Sequence, residues 1–273
     1  MRISTAHAHT IYSDGKSTPE EMIESAIARG FCSIGFSDHG VQNFDPNYCM
    51  SQFDEDGYIK TIGALRNKDC GIPIYLACER DLFSSSDRRH YDYMIGSVHY
   101  LDIDGKKIAV DGGFDDLKAC VRDHFAGDGL MMARHYFELL ANYIVDYKPQ
   151  IIGHFDLVQK NNAQGLLFDD SDPRYTDMAM DALCVLIKTD ALLEINTGAI
   201  ARKRLSWPYP QLRFLKRWHE LGGRVTITSD CHDASLIDCG YDMAFAVARE
   251  AGFKEHYLLD PKGEALFVSD SID

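Results

Sequence analysis

Short apolar segments alternate with longer amphipathic ones along the whole chain, and this alternation sharply limits the folds available to it. Segments 2–7, 32–37, 73–78, 93–98, 150–153, 191–195 and 224–228 read as strands, and 18–29, 55–69, 129–146, 174–188, 209–221 and 239–251 carry helical periodicity. Thr18-Pro19-Glu20-Glu21 offers a capping hydroxyl, a first-turn proline and acidic residues at the positive end of a helix dipole. Gly30 and Gly222-Gly223 supply matching stops. Strand–helix alternation of this kind builds a parallel sheet, either closed as a barrel or doubly wound. No Ser/Gly linker or internal repeat divides the chain, so residues 1–273 are expected to form a single α/β domain. The stretch 100–128 is the least regular; with a turn at Asp102-Ile103-Asp104-Gly105, it reads as a surface loop between two units rather than a lid.

The histidines fall in a pattern that follows those strands. His7 and His9 end the first strand, His39 the second, His99 the fourth and His154 the fifth, while Asp230 and His232 end the last. Glu79 ends the third. In a parallel barrel all C-terminal strand ends open on one face, so these side chains converge. One histidine at a strand end is ordinarily a hydrogen-bonded structural residue, but six of the eleven at such ends points to a metal site. His7 and His9 are two apart, so on an extended strand both rings point the same way, and Asp230 and His232 are expected to repeat that geometry. Cys231, between two ligands, should face away as a buried spacer. Asp14, in the loop beyond the first pair, is a ninth candidate. Imidazole and carboxylate together suit zinc, manganese or iron. Nine ligands at about three per catalytic ion imply two or three divalent ions. The remaining histidines, His90, His124, His135, His219 and His256, lie in loops or helical patterns and read as structural or exposed.

Such a centre lowers the pKa of a bridging water and neutralises charge developing on an ester oxygen. Cations complete a phosphate site. Arg202, in the run Arg202-Lys203-Arg204 after the sixth strand, is the best bidentate candidate; Lys203 and Lys160 are further phosphate contacts on that side. The proton for a leaving alkoxide has three possible sources: Asp14, His232 or a metal-bound water. The formal net charge of −14 disfavours nucleic acid or an anionic membrane as partner, because both need a basic face. The partner expected instead is a small phosphorylated substrate. Eight cysteines without a C-x-x-C pair read as reduced, mostly buried thiols, and no signal-like or membrane-length apolar stretch occurs, which fits a cytoplasmic protein.

The elements H-A-H-T with S-D-G, S-D-H-G, A-C-E, G-S-V-H, G-H-F-D and S-D-C-H span residues 7 to 232. In this order they resemble the polymerase and histidinol phosphatase (PHP) superfamily. The resemblance implies a distorted seven-stranded barrel with up to three metal ions, held by His7, His9, Asp14, His39, Glu79, His99, His154, Asp230 and His232. D-Y-M-I-G-S-V-H at 92–99, and N-T-G-A-I-A-R at 196–202 followed by W-P-Y-P, are most similar to the monofunctional histidinol-phosphate phosphatases, in which Arg202 would hold the substrate phosphate. Two departures stand out. Val158-Gln159-Lys160 occupies the place where that group usually carries an arginine, and Glu79 is followed by Arg80-Asp81. The function implied is hydrolysis of histidinol phosphate in histidine biosynthesis. The alternative is a phosphoesterase acting on another small ester, or on nucleotides and oligonucleotide ends.

Overall fold

The computed structural model describes residues 1–162 and 165–272. Among them nine strands form one sheet, in the order β1 (Ile3–Thr5), β2 (Phe31–Phe36), β3 (Ile74–Asp81), β4 (Tyr93–Ser97), β7 (Ile151–Ile152), β8 (Leu192–Asn196), β9 (Val225–Thr228), β10 (Glu255–Leu259) and β11 (Phe267–Ser271). β5 (Tyr100–Ile103) and β6 (Lys106–Ala109) make a separate antiparallel hairpin. β1 to β10 pair in parallel, and β11 returns antiparallel to β10. The fold is mixed α/β around a mostly parallel sheet, and the expected strand count of seven is corrected to nine. The additional pair was hidden because Glu255, His256, Ser269 and Asp270 break up the apolar run that marked the other strands.

Helices cover the sheet: α1 (Pro19–Ala28), α2 (Gln52–Arg66), α3 (Phe114–His124), α4 (Gly129–Tyr147), α5 (Pro173–Leu186), the single turn α6 (Gly198–Ala201), α7 (Leu212–Glu220) and α8 (Tyr241–Ala251). Thr18 caps α1 as the sequence implies, with its hydroxyl on the Glu21 amide and the Glu21 carboxylate on the Thr18 amide. α2 starts three residues earlier than the periodicity indicates, because Ser51 and Asp54 form a second capping box. α7 starts later than expected because Tyr209 pairs with Asn196 as an isolated antiparallel bridge. The stretch 100–128, expected to be a surface loop, holds the β5–β6 hairpin and α3 instead.

The sheet is strongly curled. The Tyr93 hydroxyl on β4 donates to the carbonyl of Ala6, just beyond β1, at 2.6 Å. A Cβ at Gly35 on β2 would lie 1.9 Å from that hydroxyl, so only glycine leaves room for it. At the C-terminal strand ends Ala8 pairs in parallel with Cys231, bringing the extension of β1 against that of β9. Cys231 is a buried spacer as expected, its thiol donating to Asp233 O. All eight cysteines are free, four of them buried and four partly exposed. No helix among the described residues is long and apolar enough to cross a membrane.

On the far side of the sheet His256 is buried against the Phe245 ring, with no hydrogen-bond partner for either ring nitrogen. Burial lowers its pKa to about 4. The unfolded chain therefore takes up this proton near pH 6.5, well before the folded protein does. Stability is retained above that pH and lost as the pH falls from about 6.5 towards 4, by about 3 kcal/mol over the window. Urea unfolding of wild type and His256→Phe at pH 7 and pH 4.5 should show the variant losing markedly less stability on acidification. Equal losses would refute the assignment.

Candidate metal centre

Because the strands run parallel, their C-terminal ends open on one face, and the backbone fixes the direction of each ligand candidate there. His9 N donates to Cys231 O (2.8 Å) and Ser37 N to Ala8 O (2.9 Å), so the His7–His9 segment is gripped from both sides. Asp14 sits on a tight loop in which the amides of Ser13 and Gly15 both donate to Thr10 O. The buried Asp38 carboxylate accepts from the amides and hydroxyls of Thr10 and Ser13 and locks that loop.

All nine sequence-derived ligand candidates meet. Glu79 is the hub: Oε2 lies 3.1 Å from His7 Nε2, 3.4 Å from His9 Nε2 and 3.0 Å from His39 Nδ1. Its other oxygen, Oε1, lies 2.8 Å from His154 Nε2 and 3.5 Å from His99 Nε2. A first group is His7, His9 and Asp230, with the two Nε2 atoms 3.1 Å apart and Asp230 Oδ1 at 3.8 and 3.3 Å from them. A second is His9, Asp14, His39 and His232. A third surrounds Glu79 with His39 and His99, and His154 Nε2 adds to it at 3.2 Å from His99 Nε2. Ligand atoms on a tetrahedral ion with bonds of about 2.0–2.1 Å stand about 3.3 Å apart, so the cluster has the spacing of a coordination shell.

The donor chemistry fits divalent ions. His9 Nδ1, His39 Nε2 and Asp14 Oδ1 are buried without any hydrogen-bond partner, and Asp14 Oδ1 lies 3.8 and 3.6 Å from the two nitrogens. Three unpaired buried polar atoms aimed at one point are costly unless a cation takes their lone pairs. A neutral imidazole has one lone pair, so His9 and His39, each facing two groups, serve one ion apiece. Burial, followed by the neighbouring His232 and His39, lowers the His9 pKa to about 3, which keeps that ring neutral and able to ligate.

The geometry at Asp230 and His232 differs from the expectation. β9 ends at Thr228 and Asp230 adopts a left-handed backbone (φ 46°), so the two side chains do not share one strand face. Asp230 joins the His7 group, while His232 Nε2 faces Asp14 Oδ2 at 3.1 Å. His232 Nδ1 lies 3.0 Å from both Asp230 O and Arg202 Nη1. Donation to the carbonyl frees Nε2 for an ion; acceptance from the guanidinium places the proton on Nε2.

A second layer orients these ligands. Glu194 Oε2 is 2.8 Å from His7 Nδ1 and accepts from Thr228 Oγ1, while Oε1 accepts from the His154 amide and from Asn196 Nδ2. Asp81 accepts from the His99 amide and lies 3.4 Å from His99 Nδ1. Burial alone would lower the His99 pKa, but Glu79 and Asp81 carry it up to about 9; an ion binding there must displace that proton.

Seven of the nine, all but His7 and His9, line a cavity of about 80 Å³ that Arg202 and Lys160 also enter. Arg202 Nη2 pairs with Asp230 Oδ2 at 2.9 Å, and a Cβ at Gly198 would come within 2.6 Å of the same nitrogen. Lys160 Nζ pairs with Asp111 Oδ2 at 2.7 Å. Lys203 is corrected: it takes a left-handed turn (φ 55°) at the end of α6, is exposed, and does not line the cavity. A wider groove of about 890 Å³, lined by residues such as Lys148, Arg224 and Tyr257, lies at the opposite strand ends and contains none of the nine.

The PHP domain family model matches residues 5–198, well over half of the chain. This chain belongs to the PHP family. The "Probable histidinol-phosphatase" of Schizosaccharomyces pombe is 24% identical over 97% of this PHP chain and 93% of its own length. That of Deinococcus radiodurans is 27% identical over 90% and 93%. A crystal structure of histidinol phosphate phosphatase from Lactococcus lactis, complexed with zinc, L-histidinol and phosphate, superposes with a TM-score of 0.70 at 22% identity, covering 94% of this chain and 97% of that one.

Within this PHP chain the sequence reading missed Glu194, Asp81 and the cavity residues Tyr48, Leu157 and Asp111. Glu194 carried a signal, a lone carboxylate in an apolar strand in phase with Asn196. Arg80-Asp81 resolves by strand alternation. Asp81 points to His99, and Arg80 points outward, 4.3 Å over the Tyr147 ring.

Proposed function

We propose that this chain is a metal-dependent phosphate monoester hydrolase converting L-histidinol phosphate and water to L-histidinol and phosphate. The observation that carries the reading is the group of unpaired imidazole and carboxylate atoms on the wall of a cavity that also receives Arg202 and Lys160. The names of the relatives supply the substrate. We read His7, His9, Asp14, His39, Glu79, His99, His154, Asp230 and His232 as holding two or three ions, of which zinc, manganese and iron suit the donors. When bound, such ions supply Lewis acidity and a hydroxide at neutral pH. Arg202 holds the phosphoryl oxygens with its planar fork, and Lys160 adds a point charge. The proton for the leaving alkoxide would come from a water held beside the Asp14–His232 pair, whose Oδ2 and Nε2 lie 3.1 Å apart. Glu194 and Asp81 keep the His7 and His99 rings aimed inward. The strands are read as the wall of a distorted barrel, a reading supported by the Ala8–Cys231 bridge and by Tyr93 reaching Ala6.

The test is phosphate release from histidinol phosphate, sugar phosphates, nucleotides and short oligonucleotides, each with and without chelator. Histidinol phosphate should exceed the others by about a hundredfold in kcat/KM, and chelation should abolish turnover until divalent metal is restored. Full activity after complete metal removal would overturn the mechanism. A nucleotide or oligonucleotide as best substrate would overturn the assignment of substrate.

A further inference from the structure

Two side chains in the cavity have no place among the ligands yet are built into it. Asp111, between β6 and α3, and Lys160, beyond the end of β7, are 14% and 16% exposed and form a 2.7 Å ion pair. Burial opposes ionisation of Asp111, and the Lys160 ammonium beside it favours the charged form. A buried pair like this repays its desolvation only while both partners stay matched, and losing one leaves an uncompensated charge. If Lys160 acted on the phosphate alone, the carboxylate beside it would work against an anionic substrate.

The conflict disappears for a substrate carrying opposite charges at its two ends. Resting on the phosphatase reading above, we propose that Asp111 is a specificity-determining residue that binds the ammonium group of the leaving alcohol. Phosphate draws Lys160 Nζ away from Asp111, and the substrate's own ammonium takes the vacated place. Tyr48 lines the same cavity, and an aromatic ring beside a cation is favourable. An ester without the amino group splits the Asp111–Lys160 pair and leaves a buried carboxylate bare, so it is rejected by the unpaired charge rather than by size.

The test compares kcat/KM for L-histidinol phosphate and for its analogue lacking only the amino group. It uses metal-loaded wild type, Asp111→Asn and Asp111→Glu. Wild type should prefer the amino ester by about 30-fold or more, because a buried charge is left unmatched by the other. Asp111→Asn should bring the ratio to within about threefold of unity, mostly through KM for the amino ester, and Asp111→Glu should keep an intermediate preference. Equal rates on wild type would overturn the proposal without needing any variant to fold. So would an Asp111→Asn variant slowed equally on both esters, the result expected if Asp111 merely anchors Lys160. Phosphate release from neither ester would remove the phosphatase reading and this inference together.

Discussion

Glu79→Gln should empty most of the metal centre and lower turnover by about 10³-fold or more, equivalent to about 4 kcal/mol in the barrier. The carboxylate lies within 3.5 Å of five histidine rings, His7, His9 and His39 on one oxygen and His99 and His154 on the other. It belongs to the third ligand group and touches members of the other two. Glutamine keeps the volume but loses the charge that lets divalent cations settle among those rings, and its NH2 group has no lone pair to offer. Ser97 Oγ donates to Glu79 Oε1 at 2.7 Å, so an amide of either orientation retains a local hydrogen bond and the chain should still fold. Metal content measured by elemental analysis alongside phosphate release decides the matter. Near-wild-type metal and turnover in this variant would falsify the central role of Glu79.

The ligand candidates were legible in the sequence because each rests on local facts: a strand end, a residue type able to ligate and a spacing of two. Convergence then follows from parallel strands, so one topological inference placed eight side chains together, with Asp14 added from the adjoining loop. The inference weakened where the backbone left the strand. Asp230 and His232 are two apart in sequence, but the left-handed turn at Asp230 sends them to different groups. Asp111 was invisible because it reaches the cavity by way of the β5–β6 hairpin, whose short half-exposed strands look like a loop in sequence. Glu194 was hidden for a different reason. Its neighbours in the strand are apolar, and a carboxylate there makes sense only once the His7 ring is known to lie 2.8 Å away. Residues that ligate announce themselves by chemistry, whereas those that orient ligands do so only through contacts distant in sequence.

Arg202→Ala should raise KM for the phosphate ester by about 100-fold, since a charge-assisted bidentate contact is worth a few kcal/mol, while metal content stays close to that of wild type. The second half of that expectation is the demanding one, because the guanidinium also touches the ligands. It donates to Asp230 Oδ2 and to Asp230 O, and it lies 3.0 Å from His232 Nδ1. Asp230 keeps a second donor in Asn196 Nδ2 at 3.2 Å, and His232 Nδ1 keeps the Asp230 carbonyl at 3.0 Å. Both ligands therefore remain oriented when the arginine is removed. With the guanidinium gone, His232 favours the tautomer that donates to the carbonyl and leaves Nε2 free for an ion, so metal retention should not suffer. Arg202→Lys should recover only part of the loss, because a point charge on a flexible stem cannot meet Asp230 and the phosphate together as a planar fork does. Metal analysis and steady-state kinetics on the two variants separate the roles. Loss of bound metal in Arg202→Ala would recast the arginine as a brace for Asp230, whereas a raised KM with metal retained places it on the substrate.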